Sequence, residues 1–225
     1  MARQRNLKPG SPKPRSAPLL KDKAYARIKD RILTNRFAPG DFLSERQVAS
    51  WLGMSKTPIK AAFEKLELEG YIKVSPQQGV VVRDLNAREI SEHFQFRAAL
   101  ETYIVKTLAG TLADQQIEIL EKNLAAQERC VPNHDPKESV RLDREYHMIY
   151  CSFLQNAEIQ SAMLAVKDKI YRVLHGIHSR YPDRFASNFP EHREIADAVI
   201  KGDGPLAASL METHLENGKR FLLLP

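Results

Sequence analysis

The sequence predicts a mainly α-helical protein in two parts, a small N-terminal unit of helices closed by a β-hairpin and then an all-α antiparallel helical bundle. Three observations carry this. Apolar residues recur at helical spacing through most of the chain, a strand-like pattern appears only on either side of residues 75–79, and the basic residues crowd before residue 85. With 225 residues, 43% hydrophobic and 28% charged, the chain can bury a sizeable core and divide into two small domains.

Lys and Arg total 34 against 28 Asp and Glu, a formal charge of +6. The excess lies in residues 1–84 while the remainder is close to balanced, so a polyanionic partner is expected for the first domain. The two cysteines, Cys130 and Cys151, form no close pair and give neither a disulfide framework nor a cysteine zinc site, which makes the reducing cytoplasm the expected compartment. Cys151 lies in an apolar stretch and reads as a small buried residue. The basic N-terminus lacks the apolar core of a signal peptide, and no later segment has the apolar run of a membrane span. Residues 1–18 mix Arg and Lys with Pro9, Pro12, Pro14 and Pro18 and read as a mobile basic tail.

The first domain is expected over residues 19–84. Tyr25, Ile28, Ile32 and Leu33 mark one amphipathic helix, which stops at Ala38-Pro39-Gly40. Ser44-Glu45-Arg46-Gln47 has the form of a capping box, in which Ser and Gln side chains satisfy each other's free backbone donors. It opens a short helix with Val48, Ala49 and Leu52 inward and Gly53 at its end. After a tight turn at Met54-Ser55-Lys56, Thr57 is placed to cap a third helix, with Pro58 at its first position. Ile59, Phe63, Leu66 and Leu68 supply its apolar face, and Gly70 ends it. Two short helices joined by a tight turn make a helix-turn-helix. Tyr71-Ile72-Lys73-Val74 and Val80-Val81-Val82-Arg83, flanking a polar turn, make the hairpin that serves as its wing.

In a winged helix-turn-helix the N-terminal part of the third helix enters the major groove of double-stranded DNA. Ser55, Lys56, Thr57 and Lys60 would then face bases and phosphates, with Arg46 beside them and Gly79 in the wing. Ordinary solvated charges on a small helical domain are the plainer alternative. The order Gly40, Leu43, Ser44-Glu45-Arg46, Ser55-Lys56-Thr57-Pro58-Ile59-Lys60, Leu66-x-x-Glu69-Gly70 and a Gly-containing wing resembles the GntR family of transcription regulators across residues 40–82. Lys56 and Lys60 stand where that family usually has arginines, and lysine lacks the bidentate fork that reads guanine O6 and N7.

From residue 85 to 225 only helices are expected. A capping-box-like Asn86-Ala87-Arg88-Glu89 starts a long one, on which Ile90, Phe94, Ile104 and Leu108 mark an apolar face that also carries Arg97 and Glu101. These two charges read either as an i,i+4 ion pair at an interface or as groups in a pocket, where the Arg97 guanidinium would match a carboxylate. Asp143 and His147 are one helical turn apart and can reach a common point. His192 lies at the apolar edge of the helix carrying Ile195, Ala196 and Val199, and His214 follows Leu206, Leu210 and Met211 on the inward side of the last helix. Imidazole and carboxylate are good ligands for Zn²⁺ or Ni²⁺, although a lone histidine on an apolar face is more often a hydrogen-bonded core residue. Tyr171, His175 and His178 share a stripe near Arg172, which can line a ligand cavity or simply pack; His93 and His134 are expected to be exposed.

Asp143-x-x-x-His147, Glu191-His192-x-x-Ile195, Met211-x-x-His214 and Arg97-x-x-Leu100-Glu101 are similar to the all-helical FCD domain of the FadR subgroup of the same family. That resemblance implies a divalent metal on Asp143, His147, His192 and His214, and together with the cation-rich cavity expected from the residues it suggests a small carboxylate effector, for which Arg97, Glu101, Arg172 and His175 are the expected contacts. It also implies a homodimeric, ligand-responsive regulator, acting as a repressor on operator DNA, with no enzymatic activity. A purely structural metal and a metal-dependent hydrolase are the alternatives, the latter leaving the winged helix without a purpose.

Overall fold

The structure, a computed structural model, describes residues 19–75, 79–133, 135–166, 168 and 183–223. The basic tail, the middle of the wing turn, His134, Tyr171, Arg172, His175 and His178 lie outside the described residues.

Helix α1 (Leu20–Leu33) leads to a short strand β1 (Phe42–Leu43), then to α2 (Glu45–Leu52) and α3 (Lys56–Leu68). The Ser44 capping box forms as the sequence predicts, with both reciprocal bonds to Gln47 made. Gly53 closes α2 in the left-handed region at φ 63°, a conformation that lets the chain turn at once into α3. The expected cap of α3 is displaced: Ser55, not Thr57, is the N-cap, and its side chain makes no capping bond. Thr57 and Pro58 therefore sit inside the first turn, where proline's missing N–H still removes nothing that the helix needs.

Strands β2 (Ile72–Ser75) and β3 (Gly79–Val82) form the hairpin, pairing Ile72 with Val82 and Ser75 with Gly79. The sheet has a third member, because β1 pairs antiparallel with the other edge of β3, giving the order β1-β3-β2. Gly79 occupies φ 98°, and a Cβ there would stand 3.3 Å from the Leu43 carbonyl, so glycine allows both the backbone conformation and the approach of β1. Ile28, Ile32, Ile59, Phe63, Leu66, Tyr71, Ile72, Val80 and Val82 fill the core of this unit. Leu68 was expected on that inward face but is 88% exposed at the last position of α3.

The remaining described elements are helices: α4 (Ala87–Leu108), α5 (Asp114–Cys130), α6 (Pro136–Phe153), α7 (residues 157–166), α8 (Asp183–Lys201) and α9 (Gly204–Leu223). Asn86 and Glu89 complete the capping box expected at the start of α4. A second core forms from Phe94, Ile104, Val105, Leu120, Leu124, Tyr146, Ile195, Val199, Met211 and Leu215, so the inward stripes of five helices meet in one bundle. Cys151 lies inside it. Leu206 points outward instead, and His93 is half-buried rather than exposed. Among the described residues, no helix is long and apolar enough to cross a membrane.

Candidate functional site

Two sites are built on this frame. On the first domain, Arg46 of α2 and Ser55, Lys56, Thr57 and Lys60 around the start of α3 are all exposed, with Gly79 half-buried at the end of the wing. The first turn of α3 contains no acidic residue, and the absence of a side-chain cap leaves its leading N–H groups unclaimed by Ser55. A helix start whose N-cap side chain takes none of its donors, with a positive dipole end and two lysines, suits an anion. The other face of α3 is anchored on α1 by Ile59, Ala62, Phe63 and Leu66, so the exposed lysines stand on a rigid support.

The second site lies inside the bundle. Helix α6 supplies Asp143 and His147, α8 supplies His192 and α9 supplies His214; one ligand atom from each lies within 4.8 Å of all the others. All four are buried, His192 completely. The Nε2 atom of His214 is 3.3 Å from Nε2 of both His147 and His192, and His192 Nε2 is 3.7 Å from an Asp143 carboxylate oxygen.

Each imidazole is oriented by a partner on its other nitrogen. His147 Nδ1 meets Glu101 Oε2 at 2.5 Å, His192 Nδ1 meets the Gln127 amide oxygen at 2.8 Å, and His214 Nδ1 meets Glu191 Oε2 at 2.6 Å. An amide oxygen can only accept, so His192 carries its proton on Nδ1; a carboxylate favours the same tautomer in the other two. Three Nε2 lone pairs then point at one another and at a carboxylate, an arrangement that is repulsive unless a proton or a cation lies between them. Tetrahedral ligands roughly 2.0–2.1 Å from an ion stand about 3.3 Å apart, the separation between His214 and the other two rings. The donor set and its spacing fit a divalent metal.

The electrostatics around the donors are equally specific. Burial opposes ionisation of Glu101, but Arg97 and His147 outweigh it and hold its carboxyl down at about 2. Arg97 donates through Nε to Glu101 Oε1 at 2.6 Å, so the expected i,i+4 pair forms inside the protein and connects directly to His147. Burial pushes His214 below the ordinary imidazole value, against the opposing pull of Glu191. Tyr146 stacks on His192 at 4.0 Å between ring centres, and its hydroxyl donates to the His192 carbonyl at 2.7 Å. Asn188, one helical turn before His192, donates to Asp143 at 3.4 Å, while its own buried amide oxygen has no hydrogen-bond partner.

The structure thus brings together all four residues expected to hold a metal, with Arg97 and Glu101 one contact away. Sequence reasoning missed Gln127, Tyr146, Asn188 and the contact made by Glu191. Asn188 and His192 stand four residues apart on α8, a spacing that could have flagged the asparagine; Gln127, on α5, reaches the site only through tertiary packing.

Comparison with known proteins agrees with both domains. Residues 20–82 match the gntR family of bacterial regulatory proteins, and residues 92–217 match the FCD domain. An HTH-type transcriptional regulator of Bacillus subtilis, YdhC, is 28% identical over 198 residues, covering 86% of each chain. An HTH-type transcriptional regulator from an unstable DNA locus of Streptomyces ambofaciens is 31% identical, covering 85% of this chain and 80% of that one. The solved structure of Escherichia coli McbR/YncC has the same fold, with a TM-score of 0.78 at 17% identity, covering 92% of this chain and 98% of the other. These relatives are regulators, which sets aside the metal-dependent hydrolase weighed from the sequence. The chain belongs to the GntR family of bacterial regulators, as a DNA-binding transcriptional regulator whose winged helix-turn-helix is joined to an FCD domain.

Proposed function

We propose that the protein is a ligand-responsive repressor whose helical domain holds one divalent metal, Zn²⁺ or Ni²⁺, on Asp143, His147, His192 and His214, and senses a small carboxylate there. The observation that carries this reading is the convergence of three imidazoles whose outer nitrogens are each engaged by Glu101, Gln127 or Glu191. Such outer partners fix the tautomer and raise the basicity of metal-ligating histidines. A metal held there would act as a Lewis acid toward a carboxylate oxygen, taking it as a ligand beyond the four donors. Arg97 and Glu101, which reach His147 through the Glu101 carboxylate, form the proposed effector set together with Arg172 and His175. The unpartnered amide oxygen of Asn188 offers a hydrogen-bond acceptor beside Asp143.

In this reading two copies bind a two-fold operator in the cytoplasm, with residues 19–84 of each on one half-site, residues 85–225 joining the copies and residues 1–18 adding a basic arm. Arg46, Ser55, Lys56, Thr57, Lys60 and Gly79 form the DNA-facing surface. Effector binding shifts the bundle between arrangements that space the two recognition helices differently and so releases DNA.

A structural metal is the second reading, favoured by the enclosure of all four donors, none more than 5% exposed. A melting screen of small carboxylates on metal-loaded and chelated protein, paired with fluorescence anisotropy on DNA selected from a random pool, separates the two. Carboxylates that stabilise only the loaded protein and weaken its DNA binding support the sensor. A metal that stabilises while every carboxylate leaves both quantities unchanged supports the structural role.

A further inference from the structure

The two domains are joined by a chain of charged side chains that belongs neither to the DNA-facing surface nor to the four-donor centre. Lys29 of α1 lies 2.9 Å from Asp168 of the helical domain and 3.1 Å from Glu69, the residue that caps the C-terminus of the recognition helix α3. The Tyr25 hydroxyl accepts from Lys29 at 2.8 Å and donates to the same Glu69 carboxylate at 2.7 Å. On its other oxygen, Asp168 stands 3.2 Å from Arg144, the residue immediately after Asp143 on α6. Lys29 and Asp168 are both largely buried, at 16% and 17% side-chain exposure. Burial opposes the charge on Lys29, but its hydrogen bonds to Tyr25 and Asp168 prevail and push its pKa up, so the cation is kept where the domains meet.

Beside this chain lies a cleft of about 440 Å³, lined by Lys29, Leu68, Glu69, Tyr71, Ser161 and Leu164 among others. Leu68 and Leu164 stay exposed across it, so among the described residues no packed apolar seam closes the domains at that point. Polar contacts beside open space can rearrange without opening a core, as a two-position element must. Arg144 is carried by the same helix as Asp143 and His147, so any movement of that helix would carry Arg144 with it.

We propose that Lys29, Asp168 and Arg144 form the latch through which the state of the four-donor centre sets the position of the recognition helix. The latch rests on the metal reading for what moves Arg144, while its role in holding α1 and α3 against the helical domain does not. Hydrogen–deuterium exchange of the full chain, first stripped by chelator, tests it. Asp168→Asn is expected to speed exchange in the last turns of α1 and α3 roughly fivefold, the scale of losing one partly screened ion pair. Adding Ni²⁺ is expected to change exchange there in the unsubstituted protein and not in the variant, although both take up the same amount of metal. Unaltered exchange in the stripped variant, or a Ni²⁺ response at those turns that survives Asp168→Asn, overturns the latch. If the unsubstituted protein takes up no metal, the metal reading fails and the latch is decided by the stripped comparison alone. Lys29→Met breaks the same chain from the DNA-binding side and gives the same comparison should Asp168→Asn unfold the helical domain.

Discussion

Replacing Glu101 by Gln keeps the shape of the side chain and removes the charge that two buried partners depend on. The carboxylate is 2% exposed and accepts from Arg97 at 2.6 Å and from His147 Nδ1 at 2.5 Å, with Arg97 itself 7% exposed. Solvent therefore screens little of the interaction. Holding this carboxyl at about 2 instead of its ordinary 4.5 corresponds to roughly 3 kcal/mol. Breaking a buried pair from one side costs about 3–5 kcal/mol, because the remaining charge is left without its counter-ion. Glutamine retains one acceptor, so about 3 kcal/mol is the expected loss, or a fall of roughly 6–12 °C in the melting temperature for a chain of this size. Calorimetry of chelated protein reads this directly. The amide also leaves the His147 tautomer unfixed, so metal affinity, read by competition with a coloured chelator, is expected to fall about 10–100-fold. A variant that melts within 2 °C of the parent and binds metal within twofold of it would refute both steps: that Glu101 compensates Arg97, and that it orients His147.

Further expectations test other parts of the account. His147→Ala combined with His192→Ala should abolish metal retention, read by elemental mass spectrometry, while DNA affinity in chelated protein stays within about threefold of the parent. Lys60→Ala should weaken DNA binding and flatten the slope of log affinity against log salt by roughly one unit if the contact is to phosphate; lost base preference with an unchanged slope would instead mark direct readout. Gly79→Ala should cost about 1–3 kcal/mol of winged-helix stability in denaturant melts, since its φ of 98° and the Leu43 carbonyl at 3.3 Å both oppose a Cβ. Leu66→Ala, at a fully buried position on the inward face of the recognition helix, should cost about 2–5 kcal/mol by the same measurement and weaken DNA binding indirectly.

Local signals in the sequence were legible and non-local ones were not. The boxes at Ser44 and Asn86 are readable because all their atoms lie within four residues, and both form as expected. Asp143 and His147 are readable because one helical turn places them together, and His192 and His214 because each lies beside apolar residues at helical spacing that do enter the core, Ile195 and Val199 for one and Met211 for the other. Strand β1 could not be read: two residues carry no alternation, and they become a strand only because β3 has a free edge beside them. The start of α3 was placed too late because Thr57-Pro58 imitates a cap followed by a first helical position, whereas the turn from Gly53 lets Ser55 take that place. Leu68 and Leu206 follow the helical period yet face outward, since apolar spacing does not say where a core ends. Gln127 and Tyr146 support His192 across helix–helix contacts that sequence spacing cannot express. The Arg97–Glu101 pair was legible as a pair, but its place beside His147 depends on how α4 packs against α6.

The most direct test of the sensor account is the metal content of the purified protein, prepared without chelator and measured by elemental mass spectrometry, with melting temperatures recorded before and after chelation. The account predicts about one divalent ion per chain and a stabilisation that chelator removes and metal restores. A chain that carries no metal, takes up none when Zn²⁺ or Ni²⁺ is supplied, and melts at the same temperature throughout would contradict it, reducing the four residues to a polar core beneath a DNA-binding regulator.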